Sequence, residues 1–322
     1  APGGAARLSV RALCVAREAL AYHSATADSI FAVQGLGSHS LTLTPGAVPR
    51  DDALRNIRNG TDIWAFALTE PDAGSDVASL RTTAREDGDG FVLDGAKTFI
   101  SNAGIATHYC VFANARPELG KKGISAFVVP AGAPGLRIEA QRAGGDHPLG
   151  AVLFSGVRVP RTALVGDVGQ GLRLALGTLD VFRTSVGAAA LGLARRAFDE
   201  AVARVRSRRQ FGQRLVDFQL TQGALAEMAL DLEAARLLVY RAAWEKDSGP
   251  TDGRVAVALA KLGATEAASR IIDRAVQLAG GQGVLEGGIF ERLYREVRPL
   301  RIYEGTSEIQ KLIVGQSFAA PG

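Results

Sequence analysis

The chain has 322 residues, 47% of them hydrophobic, and carries a formal net charge of +4 with a pI near 9.3. That length permits two or three domains around a large buried core. The basic residues are spread along the chain inside amphipathic helical patterns, which argues against nucleic-acid binding and leaves attraction of a phosphate-bearing substrate as the weaker reading of the charge. Cys14 and Cys110 have neither CxxC nor metal-ligand spacing, so no disulfide framework and no metal centre are expected, in keeping with a reducing compartment. No run reads as long and apolar enough to span a membrane, and no signal-peptide pattern opens the chain. Without an initiator Met, the chain is expected to begin inside a longer product.

Residues 1–62 read as helical. Leu13, Ala16 and Leu20 recur at helical spacing, and Ile30, Phe31 and Val33 mark a second segment. Pro45 and Pro49 break the pattern, and a short helix over 51–55 closes near Gly60. The period then changes. Trp64, Phe66 and Leu68 alternate with small residues as a strand does, and Glu70 to Asp76 must be a loop. Short alternating runs follow to 165, with a turn at Asp87 to Gly90. Asp94-Gly95, between Phe91–Leu93 and Lys97–Ile100, is a further hairpin signal. Residues 63–165 are thus expected to form a compact antiparallel β domain, a small barrel or sandwich.

From 166 the helical period returns. Leu191, Ala194, Phe198, Ala201 and Val205 form one apolar stripe, and Leu225, Met228, Leu232, Ala235 and Val239 a second. The third is Val255, Leu259 and Leu262, interrupted by Thr265 and Glu266 and resumed at Ala268 and Ile272. Short connections such as Lys246 to Pro250 imply antiparallel neighbours, and Gly280-Gly281 ends the third run. Residues 166–322 therefore read as a four-helix bundle, and the whole chain as an α+β multidomain protein. Near its end, Ser307 followed by Gln310 has capping-box spacing and predicts a helix through Val314. Glu304 stands just outside that start, beside Gly305, where the backbone can aim a carboxylate.

Several strings together resemble the acyl-CoA dehydrogenase family: Ala67-Leu68-Thr69-Glu70-Pro71-Asp72-Ala73-Gly74-Ser75-Asp76, Lys97-Thr98-Phe99-Ile100-Ser101-Asn102-Ala103-Gly104, Leu179-Asp180-Val181-Phe182-Arg183, Arg208-Arg209-Gln210-Phe211-Gly212, Gln277-Leu278-Ala279-Gly280-Gly281 and Tyr303-Glu304-Gly305-Thr306. The order of helices, β domain and bundle agrees. The resemblance implies FAD as cofactor, an acyl-CoA substrate, and Glu304 as the base that removes the α proton while the β hydride passes to flavin N5. It implies that Phe66, Leu68, Thr69, Phe99 and Ser101 surround the flavin ring and that Ser75 contacts the pyrophosphate and the substrate. Asp180, Arg183, Tyr303 and Gly305 fall to the substrate. Arg208, Phe211, Gln277, Gly280 and Gly281 would reach the FAD of a neighbouring subunit, with Thr306 and Glu308 completing its site. A homo-oligomer follows, a dimer or a tetramer of two dimers, with an electron-transfer flavoprotein as acceptor and the bacterial cytoplasm or the mitochondrial matrix as location.

The family's other position for the base, one residue before Arg183, is Phe182 here, which cannot take a proton. Asp72 stands where the family commonly has Gly, and the N-terminal helical part is shorter than the family's. Two other functions remain compatible: a relative acting on carrier-protein thioesters or reoxidised by oxygen, and a shortened non-catalytic paralogue.

Overall fold

The computed structural model describes residues 8–44, 50–249 and 253–319. The breaks expected at Pro45 and Pro49, and the Pro250 end of one connection, lie outside them. The chain divides into two units. One is Ser29–Leu179; the other joins the segment ending at Asp28 to the chain from Asp180 onward. This cuts across the expected boundaries after 62 and 165, because helix α1 (Val10–His23) belongs with the later helices and the body of α2 (Ala25–Leu43) with the sheet.

The first unit holds α2, α3 (Arg50–Asn59) and eight strands: β1 Trp64–Ala67, β2 Thr83–Asp87, β3 Gly90–Ser101, β4 His108–Asn114, β5 Ile124–Pro130, β6 Leu136–Ala140, β7 Leu149–Pro160 and β8 Leu164–Val165. They form one sheet in the order β6-β7-β3-β2-β4-β5-β8, with β1 on β4. Most pairings are antiparallel, as expected, but β1 and β2 each run parallel to β4. Inward residues such as Phe91, Leu93, Tyr109, Val111, Phe127, Val129 and Val152 make its core.

The hairpin expected at Asp94-Gly95 is absent. β3 runs straight through, and the register against β7 slips there instead. Gly95 sits at φ 143°, and a Cβ on it would lie 2.7 Å from the Thr82 hydroxyl. The pair instead faces a bulge on β7: between Leu93 and Gly95 the partner strand runs from Val157 to Phe154, one residue longer, with Gly156 at φ 62° donating its N–H to the Asp94 carboxylate at 2.7 Å.

The second unit holds α1, most of α4 (Gly171–Ser207), α5 (Gln219–Ser248), α6 (Arg254–Ala279), α7 (Ile289–Val297) and α8 (Ser307–Ala319). Its core is rich in alanine, and Gly192 of α4 meets the backbone of α1 so closely that a Cβ would stand 2.3 Å from the Glu18 carbonyl. The α4 and α5 stripes are buried much as predicted, and Gly280 at φ 64° caps α6. The stripe chosen for α6 is out of phase in its first half, Val255, Leu259 and Leu262, while Ala268 and Ile272 are buried as expected. Leu259 is 37% exposed, and the buried face runs Val257, Lys261, Ala264, Ala268 and Ile271. Alanine on every face left the periodicity without contrast. One further expectation fails: α4 is long and apolar enough to cross a membrane by composition. It reads as a core helix, because 72% of its apolar window is buried within the protein.

Candidate active site

Each unit carries its own set of the residues singled out above. In the first, β3 itself bulges between Lys97 and Ile100, and Phe99 at that bulge adopts φ 55° with 66% of its surface exposed. An aromatic side chain pays for a left-handed backbone with roughly 1–2 kcal/mol. The gap in the ladder is filled by a residue that sequence reasoning missed. Gln141 accepts from the Phe99 N–H (3.0 Å) and donates to the Thr98 hydroxyl (3.0 Å). The Thr98 N–H donates to the Thr69 carbonyl at 2.9 Å, which brings the end of the β1 segment beside Phe99.

The loop after β1 is pinned by a buried ion pair. Lys97 Nζ donates to the Leu68 carbonyl (3.1 Å) and to Glu70 (2.7 Å), whose carboxylate also accepts from the Arg81 and Thr82 N–H groups at 2.6 and 2.9 Å. Burial pushes the Lys97 ammonium down to about 8 despite Glu70. Burial also works to raise Glu70, but the Lys97 charge and the backbone donors outweigh it and hold that carboxyl below its ordinary value. The Leu68 side chain is buried, Phe66 packs on Phe112 at 4.9 Å, and Ser75 is exposed.

The hydroxyls of Thr69, Ser75 and Ser101 have no protein partner among the described residues. A Cβ added to Gly74 would meet nothing within 4 Å, so the protein's own packing does not require glycine there. An exposed aromatic face in an imposed conformation, uncommitted hydroxyls and an open glycine loop fit a flat ring carrying phosphates.

In the second unit, Glu304 sits between a tight helical turn at Arg298–Arg301 and α8. It adopts φ 53° and Gly305 φ 94°. The two carbonyls are held in succession: Arg183 Nε donates to Glu304 O at 2.9 Å, and Lys261 Nζ donates to Gly305 O at 2.7 Å. Gln310 Nε2 adds a bond to the Gly305 carbonyl at 3.0 Å, so a Cβ on Gly305 would lie 2.6 Å from that amide. The helix is capped one residue earlier than the spacing suggested, and without the reciprocal bond of a capping box. The Thr306 hydroxyl accepts from the Ile309 N–H, while Ser307 donates to Glu266 (2.6 Å), which also binds Arg301 (2.8 Å).

Glu304 Oε2 is inaccessible and has no hydrogen-bond partner. Burial raises its pKa, opposed by the positive charges of Arg17, Arg183 and Lys261. Burial prevails. Arg17 is itself buried, bound through two nitrogens to Asp28 (2.8 Å each) and through a third to Ser185.

The other singled-out residues are placed as follows. Asp180 pairs with Lys246, and the Nε of Arg183 is committed to the Glu304 backbone. Tyr303 is 37% exposed. Glu308 is exposed, its carboxyl lowered by its own N–H and the Thr306 hydroxyl. Gln277, Gly280 and Gly281 are exposed at the end of α6. Arg208 is exposed and starts a hairpin of β9 (Arg209–Gln210) and β10 (Gln213–Arg214). Phe211 forms its tip at φ 49°, 94% exposed.

Sequence reasoning missed Glu70, Lys97, Gln141, Arg17, Asp28, Lys261 and Glu266. The break in the α6 stripe at Thr265-Glu266 was the visible trace of the last.

The chain matches the acyl-CoA dehydrogenase middle domain over residues 65–157 and the C-terminal domain of the same family over 169–319. It is 40% identical over 323 residues to the mitochondrial short-chain specific acyl-CoA dehydrogenase of Homo sapiens, covering 97% of this chain and 76% of that one. Among solved structures, butyryl-CoA dehydrogenase from Megasphaera elsdenii superposes with a TM-score of 0.92 at 35% identity, covering 95% and 81% of the two chains. A chain from a study of the electron transferring flavoprotein of Acidaminococcus fermentans gives 0.94 at 34% identity, covering 98% and 83%. Sequence likeness over nearly the whole length, a shared fold and residues that suit a flavin make this chain a member of the acyl-CoA dehydrogenase family, an oxidoreductase with FAD as its cofactor.

Proposed function

We propose that this chain introduces a double bond between the α and β carbons of an acyl-CoA thioester, with Glu304 as the base. The observation that carries the reading is the Glu304 carboxyl itself, with one oxygen sealed from solvent and bonded to nothing, on a backbone held left-handed by two cations. A carboxylate kept without a partner is free to take a proton from carbon. Its raised pKa makes it a stronger base than an exposed Glu, while Arg17, Arg183 and Lys261 keep the ionised form accessible. FAD, when bound, supplies the acceptor for the β hydride, which no side chain can be. Phe99, Thr69, Ser101 and Ser75 would hold it from the sheet unit. The Glu304 N–H would bond the thioester carbonyl as negative charge develops on it. Electrons would leave to an electron-transfer flavoprotein, and the working form would be a homo-oligomer.

Glu304→Gln is expected to bind FAD normally, judged by its visible absorbance, and to lose anaerobic bleaching by acyl-CoA; normal bleaching moves the base elsewhere. In the unaltered protein, activity should rise with pH through the Glu304 pKa. That acid limb should lie above the ordinary Glu value of about 4.3, because burial favours the protonated form. A panel of straight, branched and aromatic acyl-CoAs in the same assay identifies the substrate.

A further inference from the structure

Lys261 is fully buried on the alanine-lined face of α6, among Val257, Ala258, Ala260, Ala264 and Ala268. Placing an ammonium there is costly unless something compensates it. The comparison with the chain's other fully buried lysine is instructive. Lys97 has a carboxylate at 2.7 Å. Lys261 has no carboxylate in hydrogen-bond reach among the described residues; its acceptor is a neutral carbonyl, Gly305 O. The charges around it act through space: Glu304, Glu266 and Glu308 favour the ammonium, and Arg183 opposes it. Glu304 is the largest of the favourable ones. Around Glu304, in turn, stand Arg17, Arg183 and Lys261, with Asp28 opposing. A charge buried without its own ion pair, and bonded to the residue after the base, has little use as a support for folding.

We infer that Lys261 is a positioning residue for the base: its ammonium holds the Gly305 carbonyl, fixes the left-handed Glu304–Gly305 turn, and supplies a positive charge that keeps the Glu304 carboxylate ionised. The inference rests on the role proposed above for Glu304. The division of labour with Arg183 is geometric. Arg183 holds the carbonyl of residue 304 and Lys261 that of residue 305, so the peptide between base and helix cannot turn over without breaking both bonds. A lysine suits the position, being a compact point charge on a flexible stem that reaches a single carbonyl. Burial pushes Lys261 down to about 8, so it carries its charge at neutral pH and loses it under mildly alkaline conditions.

The test compares Lys261→Met, which removes donor and charge, with Lys261→Gln, which keeps an amide donor. Both are assayed as FAD-loaded full chain with an acyl-CoA that bleaches the unaltered enzyme, from pH 5 to 10. Lys261→Met should lower kcat by about 10- to 100-fold with KM within about threefold, since the loss falls on orientation of the base. The acid limb of kcat/KM should move to higher pH, because losing a nearby cation raises the Glu304 pKa, and the fall in rate expected above about pH 8 with lysine should be absent. Lys261→Gln should recover part of kcat and keep the displaced acid limb. An unchanged kcat together with an unmoved acid limb in Lys261→Met overturns the inference. Should that variant not fold, Lys261→Gln decides alone, an unmoved acid limb overturning it. Glu304→Gln separates the two ideas: if it bleaches normally the base assignment fails, whereas an inert Glu304→Gln beside a normal Lys261→Met removes only the role of Lys261.

Discussion

Among the described residues, four that are not glycine hold a positive φ: Phe99, Asn102, Phe211 and Glu304. Three were picked from sequence for chemistry, and each is held by something other than its own preference. Phe99 is held by Gln141 at a bulge, and Phe211 by a two-residue hairpin that also needs Gly212 at φ 83°. Glu304 is held by Arg183, with Gly305 fixed by Lys261 and Gln310. Asn102 is structural, donating to the Trp64 carbonyl at 3.0 Å. Strain retained against a cost points to function when the surroundings over-determine it. Gly305→Ala tests the most demanding of these points. The new methyl would be forced into φ 94° and against the Gln310 amide. The expected result is a loss of about 1–2 kcal/mol in stability by thermal or urea unfolding, together with a fall in kcat well beyond what the melting shift explains. A variant with unaltered kcat would mean that the turn does not need its present geometry.

At the scale of elements, strand β3 shows how a sheet positions a site. Its register against β7 shifts at Gly95 and again, through a bulge of its own, at Phe99, and the Lys97–Glu70 pair between them ties β3 to the loop that follows β1. Lys97→Met leaves the Glu70 carboxylate buried beside an apolar chain, and breaking such a pair costs about 3–5 kcal/mol. Urea unfolding should show that loss, and FAD should dissociate more readily. Adding Glu70→Gln should recover part of the stability; no recovery would mean that the pair is not the reason. The acid at 304 and its loop were legible as a string, and so was the helix beginning beside it. What steadies the loop was not. Glu266 looked like a flaw in an amphipathic stripe and Lys261 was not marked at all, because a pattern search reads a buried charge as noise. The phase of α6 was hidden by alanine, which suits either face. The continuation of β3 through Asp94-Gly95 was hidden because a turn and a strand irregularity use glycine for the same reason, freedom at positive φ.

At the scale of the whole molecule, the helical unit leaves apolar surface with nothing over it. Leu230, Leu237 and Trp244 of α5 are 72%, 70% and 56% exposed and step by seven residues along one face; Phe211 and Phe318 are 94% and 83% exposed. Scattered exposed apolar residues are ordinary, but a stripe at two-turn spacing along one helix is the composition of an interface core. Arg208 lies at the base of the β9–β10 hairpin without an ion pair among the described residues, and its planar fork suits a pyrophosphate. Self-association and FAD retention should therefore be linked but separable. Leu230→Glu with Leu237→Glu should shift sedimentation to smaller species and lower FAD content with them. Arg208→Ala should keep the assembly and weaken FAD binding by about tenfold, the loss of one charge-assisted contact of about 1.4 kcal/mol, measured by titrating apoprotein with FAD. If the double variant sediments as before, the stripe is plain surface. If Arg208→Ala binds FAD as tightly as the unaltered chain, the cofactor is held without help from this hairpin.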